Sequence, residues 1–282
     1  METTGLFTIH KHKIRADEIG KAIHLIPFGD IHRSSPMCHS EKWLEMLEWA
    51  KKRDKILFLG MGDYDDLASA SERNIFTDRK MHDSSRQTLE DLYTTHVNRL
   101  VKEIKFMNGK LIGLMEGNHY AEFQDGTTST QKMCSLLACK YLGVSSFIRL
   151  VVEYRTKSAS IDIWAHHGKG ASRLIGGSLN RVQQMGESAE ADIYLMGHDH
   201  KKSVGMMDKL TLSEGHGSLN LHHRKQLYIR TGSFLKAYED SKVSYVSDMA
   251  LNPTNLGVVK ISIIPKYTKG GDGLYLDLHA SI

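Results

Sequence analysis

The chain has 282 residues, 40% hydrophobic and 25% charged, with a mean hydropathy of -0.35, a balance ordinary for a globular protein with a sizeable core. No apolar run approaches the ~18 residues that span a bilayer, and Met1 to His12 mixes Glu2, Thr3, Thr4, His10 and Lys11 where a signal peptide is apolar, so a cytoplasmic protein without a membrane partner is expected. The formal charge of +4 and pI near 8.8 come from scattered Lys and Arg rather than a dense basic stripe, which permits an anionic substrate without demanding one.

In chain order, Ile23 to Phe28 reads as a buried strand ending at Gly29-Asp30. Ser40 is a candidate cap for a helix whose apolar positions Trp43, Leu44, Leu47 and Ala50 recur at helical spacing. Ile56 to Leu59 is a short apolar strand ending at Gly60. An amphipathic helix over about Ser84 to Met107 places Leu89, Leu92, Tyr93, His96, Leu100 and Ile104 on one stripe, and Asn108-Gly109 ends it. Leu111 to Met115 is the next strand, and Thr130 to Leu142 reads as a helix with Gly143 as its cap.

The second half is richer in strands. Phe147 to Tyr154 and Ser160 to Ala165 read as a pair, followed by Asp192 to Met196, Gln226 to Thr231 and Leu256 to Ile264, whereas Lys266 to Ile282 is short and glycine-rich. There is no repeat, no low-complexity tract and no Pro-rich linker. Strands alternating with helices, then a strand-rich stretch, predict one α/β domain over residues 1–282 built on two packed sheets.

Each strand of interest ends in a small polar cluster: Asp30-Ile31-His32, Gly62-Asp63-Tyr64-Asp65-Asp66, Gly117-Asn118-His119, His166-His167-Gly168 and Gly197-His198-Asp199-His200. Carboxylates with imidazoles suit divalent manganese, iron or zinc, whereas thiolate sites need cysteine pairs. Residues two apart in an extended segment point the same way, so Asp30 with His32, and His198 with His200, can each offer paired donors. Neighbouring glycines let the loops turn sharply and approach closely, and strand ends along one sheet edge form the usual ligand crevice.

The order D-x-H, GD-x-x-D, GNH, HG and GHxH resembles the calcineurin-like metallophosphoesterase superfamily from about Asp30 to His200, and Arg230-Thr231-Gly232-Ser233 is similar to the segment that follows. The resemblance implies a four-layer αββα sandwich of two mixed β-sheets and a centre of two divalent metal ions, with Mn2+ as the first expectation and Fe, Zn or Mg as alternatives. It implies that Asp30, His32 and His200 hold one ion, that Asn118, His198 and one of His166 and His167 hold the other, and that Asp63 bridges them. His167 is preferred because it directly precedes Gly168.

The resemblance further makes His119 the catalytic residue, donating a proton to the leaving oxygen. The family usually places an acid directly after this histidine; here Tyr120 stands there, which leaves Glu122 or Asp66 to orient it. The activity implied is hydrolysis of a phosphate ester by metal-activated water, leaning to a phosphodiesterase or nuclease, with a nucleotide or nucleic acid as the substrate. The alternatives are a phosphomonoesterase or nucleotide phosphatase, and a scaffold that keeps the fold without catalysis. No arginine follows the GNH histidine, which disfavours a Ser/Thr protein phosphatase.

The remaining reactive residues have plainer readings. Cys38, Cys134 and Cys139 form no CxxC pair and read as reduced structural thiols. His10, His12, His24, His39, His96 and His279 read as structural, and His222-His223-Arg224-Lys225 as a solvated turn or strand face. Ala68 to Ser85, with Arg73, Asn74, Lys80, His82 and Arg86, reads equally as a substrate-facing loop or a surface loop. Gly168 to Arg173 and Gly176-Gly177 form a basic, glycine-rich stretch suited to a phosphate.

Overall fold

Continuous apolar runs become the central strands. In the computed structural model, β2 (Ile23–Phe28), β3 (Ile56–Gly60) and β4 (Leu111–Leu114) are parallel neighbours. They are covered on both faces, which is why they read as unbroken hydrophobic stretches. The structure describes residues 8–69, 72–73, 81–170, 172–215, 218–241, 245–248, 252–269 and 271–282.

Two mixed sheets make up the α/β fold. With β5 (Lys140–Tyr141), β12 (Lys260–Tyr267) and β13 (Leu274–Ser281), the three central strands form a six-stranded sheet ordered β13-β12-β2-β3-β4-β5. The second sheet has seven strands: β1 (Thr8–Arg15), β6 (Ser145–Tyr154), β7 (Lys157–His166), β8 (Ile193–Met196), β9 (Lys202–Gly215), β10 (Ser218–Ser233) and β11 (Gly257–Val258). β9 and β10 form an antiparallel ladder from Lys202–Thr231 out to Gly215–Ser218.

The strand alternation decides what lies between the sheets. Leu25, Leu57, Leu59 and Ile112 from one sheet share a buried cluster with Ile148, Leu150, Ile163, Leu195 and Ile229 from the other. On the opposite face of the six-stranded sheet, Ile26, Phe28 and Phe58 pack with Trp43 and Leu47 of α1 (Ser40–Lys51). The same cluster takes in Tyr93, Val97 and Leu100 of α2 (Asp83–Ile104) and Met133 of α3 (Ser129–Leu136). On the opposite face of the other sheet, Trp164, Tyr194 and Tyr228 meet Val182 and Met185 of α4 (Ile175–Ser188). No helix among the described residues is long and apolar enough to cross a membrane.

Several local expectations need correction. The α1 cap is His39, whose side chain accepts from the Lys42 amide, while Ser40 Oγ accepts from Arg33. Leu44 and Leu92 are exposed, so the buried stripes are narrower than their periodicity suggested. The helix expected to reach Leu142 stops at Leu136, because Ala138 takes a φ of 49° and the chain turns into β5. The Leu256 to Ile264 run splits into β11 and β12. Gly176-Gly177 opens α4 rather than a phosphate turn, and these glycines with Gly186 hid the buried stripe of Ser178, Val182 and Met185. β1, β9 and β13 were not foreseen, nor was the full length of β10, in which His222 and His223 are exposed.

Candidate metal centre

The loops leaving β2, β3, β4, β7 and β8 converge, and their polar residues meet through backbone conformation rather than strand alternation. Among the described residues, eight non-glycines have positive φ, and five of them are Asp30 (46°), His32 (48°), Asp63 (49°), His198 (72°) and His200 (60°). An extended chain had been expected to align Asp30 with His32 and His198 with His200; both pairs instead sit in the left-handed region. That region is unfavourable for residues with a side chain, and such strain gathers at functional sites. Gly62, with a φ of 98°, lets the β3 loop pass under His167: a Cβ there would lie 2.6 Å from its Nδ1.

Two groups of donors face one another. Asp30, His32 and His200 offer ligand atoms within 4.8 Å of each other, and Asp63, His167 and His198 do the same. In the first group His32 Nε2 lies 3.3 Å from His200 Nε2, and His200 Nε2 lies 3.7 Å from Asp30 Oδ1. In the second, His167 Nε2 lies 3.2 Å from Asp63 Oδ2, and the Asn118 side-chain oxygen lies 2.9 Å from His167 Nε2 and 2.7 Å from His198 Nδ1. Seven expected residues are therefore gathered at one place.

The second oxygens of the carboxylates fix the loops. Asp63 Oδ1 accepts from the amides of Asn118 (2.7 Å) and His119 (2.9 Å), and Asp30 Oδ2 accepts from the His198 amide (2.9 Å). His167 Nδ1 donates to the Met61 carbonyl at 2.7 Å, which aims Nε2 inward. His166 turns away, and its Nδ1 accepts from the Gly168 amide at 2.7 Å.

Electrostatics reflect this crowding. Burial pushes the Asp30 carboxyl up to about 7. Burial also acts to raise Asp63, but the hydrogen bond and charge of His167, with His32 and His119 behind, hold it well below the usual carboxylate range. Burial disfavours charge on His167, yet Asp63 outweighs it and lifts the imidazole to about 9. Burial and the neighbouring His167 push His198 down to about 4, and burial with His32 holds His200 well below its ordinary value.

This donor set fits divalent cations. Two imidazole nitrogens face each other, Asp30 Oδ1 is buried without a hydrogen-bond partner among the described residues, and all the donors are carboxyl, amide oxygen or imidazole. Cations would satisfy the facing lone pairs and the buried negative charge together.

Around the donors stand Asp66, one of the two acids expected to orient His119, and several residues to which motif reading gave no role. Asp66 Oδ1 lies 2.7 Å from His119 Nδ1 and 3.7 Å from His32 Nδ1, so Asp66 rather than Glu122 is the acid beside His119. Buried Asp65 accepts from the Ser34 amide at 2.5 Å and pairs with His96 and Arg99 of α2, so His96 is more than a packed residue. Buried Glu116, directly before Gly117, accepts from Thr128, Thr130 and Tyr141. Fully buried Arg230 donates to the carbonyls of Ser178 (3.0 Å) and Gly197 (2.8 Å), beneath the loop carrying His198. Asp65 and Glu116 lie inside or beside the motifs, where position was the available signal.

Arg73 Nη1 donates to the carbonyls of Asn118 (2.8 Å) and Tyr120 (3.1 Å), and its guanidinium lies over the Tyr120 ring. The expected Asn74 and Lys80 lie outside the described residues. Lys169 is exposed, and its carbonyl accepts from Arg181.

No family model matches this chain, and no curated protein matches it. Among solved structures it is similar to a double mutant of Vps29 from Entamoeba histolytica, at 12% identity over 93% of this chain and 100% of that one, with a TM-score of 0.33. It is also similar to a conserved uncharacterized protein, a predicted phosphoesterase, from Streptococcus pneumoniae TIGR4, at 13% identity over 93% of this chain and 99% of that one, with a TM-score of 0.34.

Proposed function

We propose that this chain is a phosphoesterase using two divalent metal ions, manganese first among them, to hydrolyse phosphodiesters such as those of nucleotides or nucleic acid. The observation that carries the reading is the meeting of two donor groups, Asp30-His32-His200 and Asp63-His167-His198, beside a His119–Asp66 pair that belongs to neither set of expected ligands. Asn118 would complete the second group, and Asp63, charged and central, would serve both ions. When bound, such ions supply Lewis acidity toward water and phosphoryl oxygens.

The chain's own residues then position and protonate. Asp66 Oδ1, 2.7 Å from His119 Nδ1, faces that nitrogen and leaves Nε2 to serve the ester oxygen. As the bond from water oxygen to phosphorus forms and the ester bond breaks, the Nε2 proton passes to the departing alkoxide. Asp63 Oδ1, accepting the Asn118 and His119 amides, keeps this loop in place. The basic pI and the lysines beside the ligands, Lys169 and Lys201, support a polyanionic substrate.

A substrate screen tests the reading. Purified protein with Mn2+ is assayed against nitrophenyl mono- and diesters, nucleotides, single-stranded and duplex DNA, and RNA. Chelator-sensitive diester cleavage is expected. Cleavage of monoesters alone would move the protein to the phosphatase branch, and no hydrolysis with no bound metal would make it a scaffold.

A further inference from the structure

Helix α3 closes on two cysteines that phosphoester chemistry does not use. Past its last turn Ala138 has a φ of 49°, the Cys139 amide donates to the Cys134 carbonyl at 3.0 Å, and the Ala138 amide donates to the Ser135 carbonyl at 3.2 Å. This paired closure commonly brings a residue of the last helical turn against the second residue beyond the cap. Those two positions are Cys134 and Cys139.

The thiols are chemically unequal. Cys134 is buried, and its contact with Cys139, reinforced by burial, holds it in the thiol form. Cys134 Sγ donates to the Lys140 carbonyl at 3.5 Å, and Cys139, half-buried, is drawn toward thiolate by the neighbouring Cys134. A reachable thiolate beside a protected thiol is the arrangement in which one sulfur attacks and the other resolves. Cys38 lies elsewhere, against Leu235.

We propose that Cys134 and Cys139 form a thiol–disulfide pair that a small-molecule disulfide, such as oxidised glutathione, closes. The Cys139 thiolate attacks one sulfur of the oxidant, forming a mixed disulfide and releasing one glutathione thiolate. Cys134 loses its proton to solvent and attacks Cys139 Sγ, which breaks the mixed disulfide, releases the second glutathione thiolate and leaves the internal bridge. Two protein thiols are thus oxidised and one glutathione disulfide is reduced. The bridge joins the two supports of Glu116: the helix begun by Thr128 and Thr130, and the strand carrying Tyr141.

Thiol counting on the full chain tests this without any variant. Protein exposed to oxidised glutathione is acid-quenched, denatured, labelled with N-ethylmaleimide and weighed intact. The reduced chain, with three free cysteines, should take three labels, and the oxidised chain one. Both cysteines fall in the tryptic segment Met133 to Lys140, which should appear unlabelled and two hydrogens lighter. Cys134→Ser should instead hold glutathione on Cys139. Three labels after a treatment that fully oxidises dithiothreitol, or a bridge to Cys38, would overturn the proposal.

Discussion

Asp66 and His119 are 2.7 Å apart, carboxylate oxygen to Nδ1, although Asp66 lies three positions beyond the buried Asp63 and the histidine belongs to another loop. The same oxygen lies 3.7 Å from His32 Nδ1. His119, with His32 behind it, holds the Asp66 carboxyl well below its ordinary range. The acid beside His119 therefore comes from the loop after β3, while Tyr120 occupies the position directly after the histidine.

His119→Gln should leave metal binding intact while lowering turnover roughly 10²–10⁴-fold, the usual worth of a positioned acid. The loss should shrink for nitrophenolate esters, whose leaving group needs little protonation, and be largest for ribose or deoxyribose leaving groups. Asp66→Asn should follow the same ordering with a smaller loss. An equal loss on both substrate classes would mean that His119 orients the phosphate instead.

His166 and His167 should behave differently despite being adjacent. His167→Ala removes a ring that touches both Asp63 and Asn118, so metal affinity should fall by more than the roughly 10–100-fold worth of an outer partner. His166→Ala breaks its bond from the Gly168 amide and should cost stability with metal retained. Metal titration of both variants decides, and the reverse ranking would shift the ligand by one residue.

The chelated protein should lose stability as pH rises from about 7 to about 10. His167 is raised from 6.5 to about 9, so its contribution is complete below the unfolded pKa and is lost as pH climbs through the folded value. Thermal melts in chelator should show that decline, and His167→Gln should flatten it. Because a metal-bound imidazole gives up the proton on its ligating nitrogen, metal loading should also weaken as pH falls across the same window. A rising stability for the chelated protein would contradict the Asp63–His167 pairing.

The central strands and the residues that gather at the candidate site were legible because both are written locally: apolar runs for the strands, short motifs for the loops. What stayed hidden depended on contacts far away in sequence. Asp65 finds His96 and Arg99 on α2, and Glu116 finds Thr128, Thr130 and Tyr141. β9 could not be foreseen because much of its apolar character, at Met206, Leu210 and Leu212, is exposed. The helix expected over Thr130 to Leu142 formed but was overrun at its end, because periodicity continued past Ala138, where the backbone turned left-handed. The route by which Asp30, His32, His198 and His200 converge was also misjudged, since positive φ is uncommon even for Asp and His, which adopt it more readily than most side chains.

Metal counting on Asp63→Asn tests the central claim most directly. Asp63 stands against His167 and acts on Asp30 and His32 from its buried position, so losing its charge should disturb both donor groups at once. Wild-type protein, stripped with chelator and titrated with Mn2+ in a calorimeter, should bind two ions per chain and regain diester hydrolysis in step with loading. Asp63→Asn should bind fewer than two and lose most turnover. A variant that keeps both ions with near-normal turnover would contradict the shared role of Asp63, and a wild type that binds no Mn2+ and ignores chelator would contradict the metal centre itself.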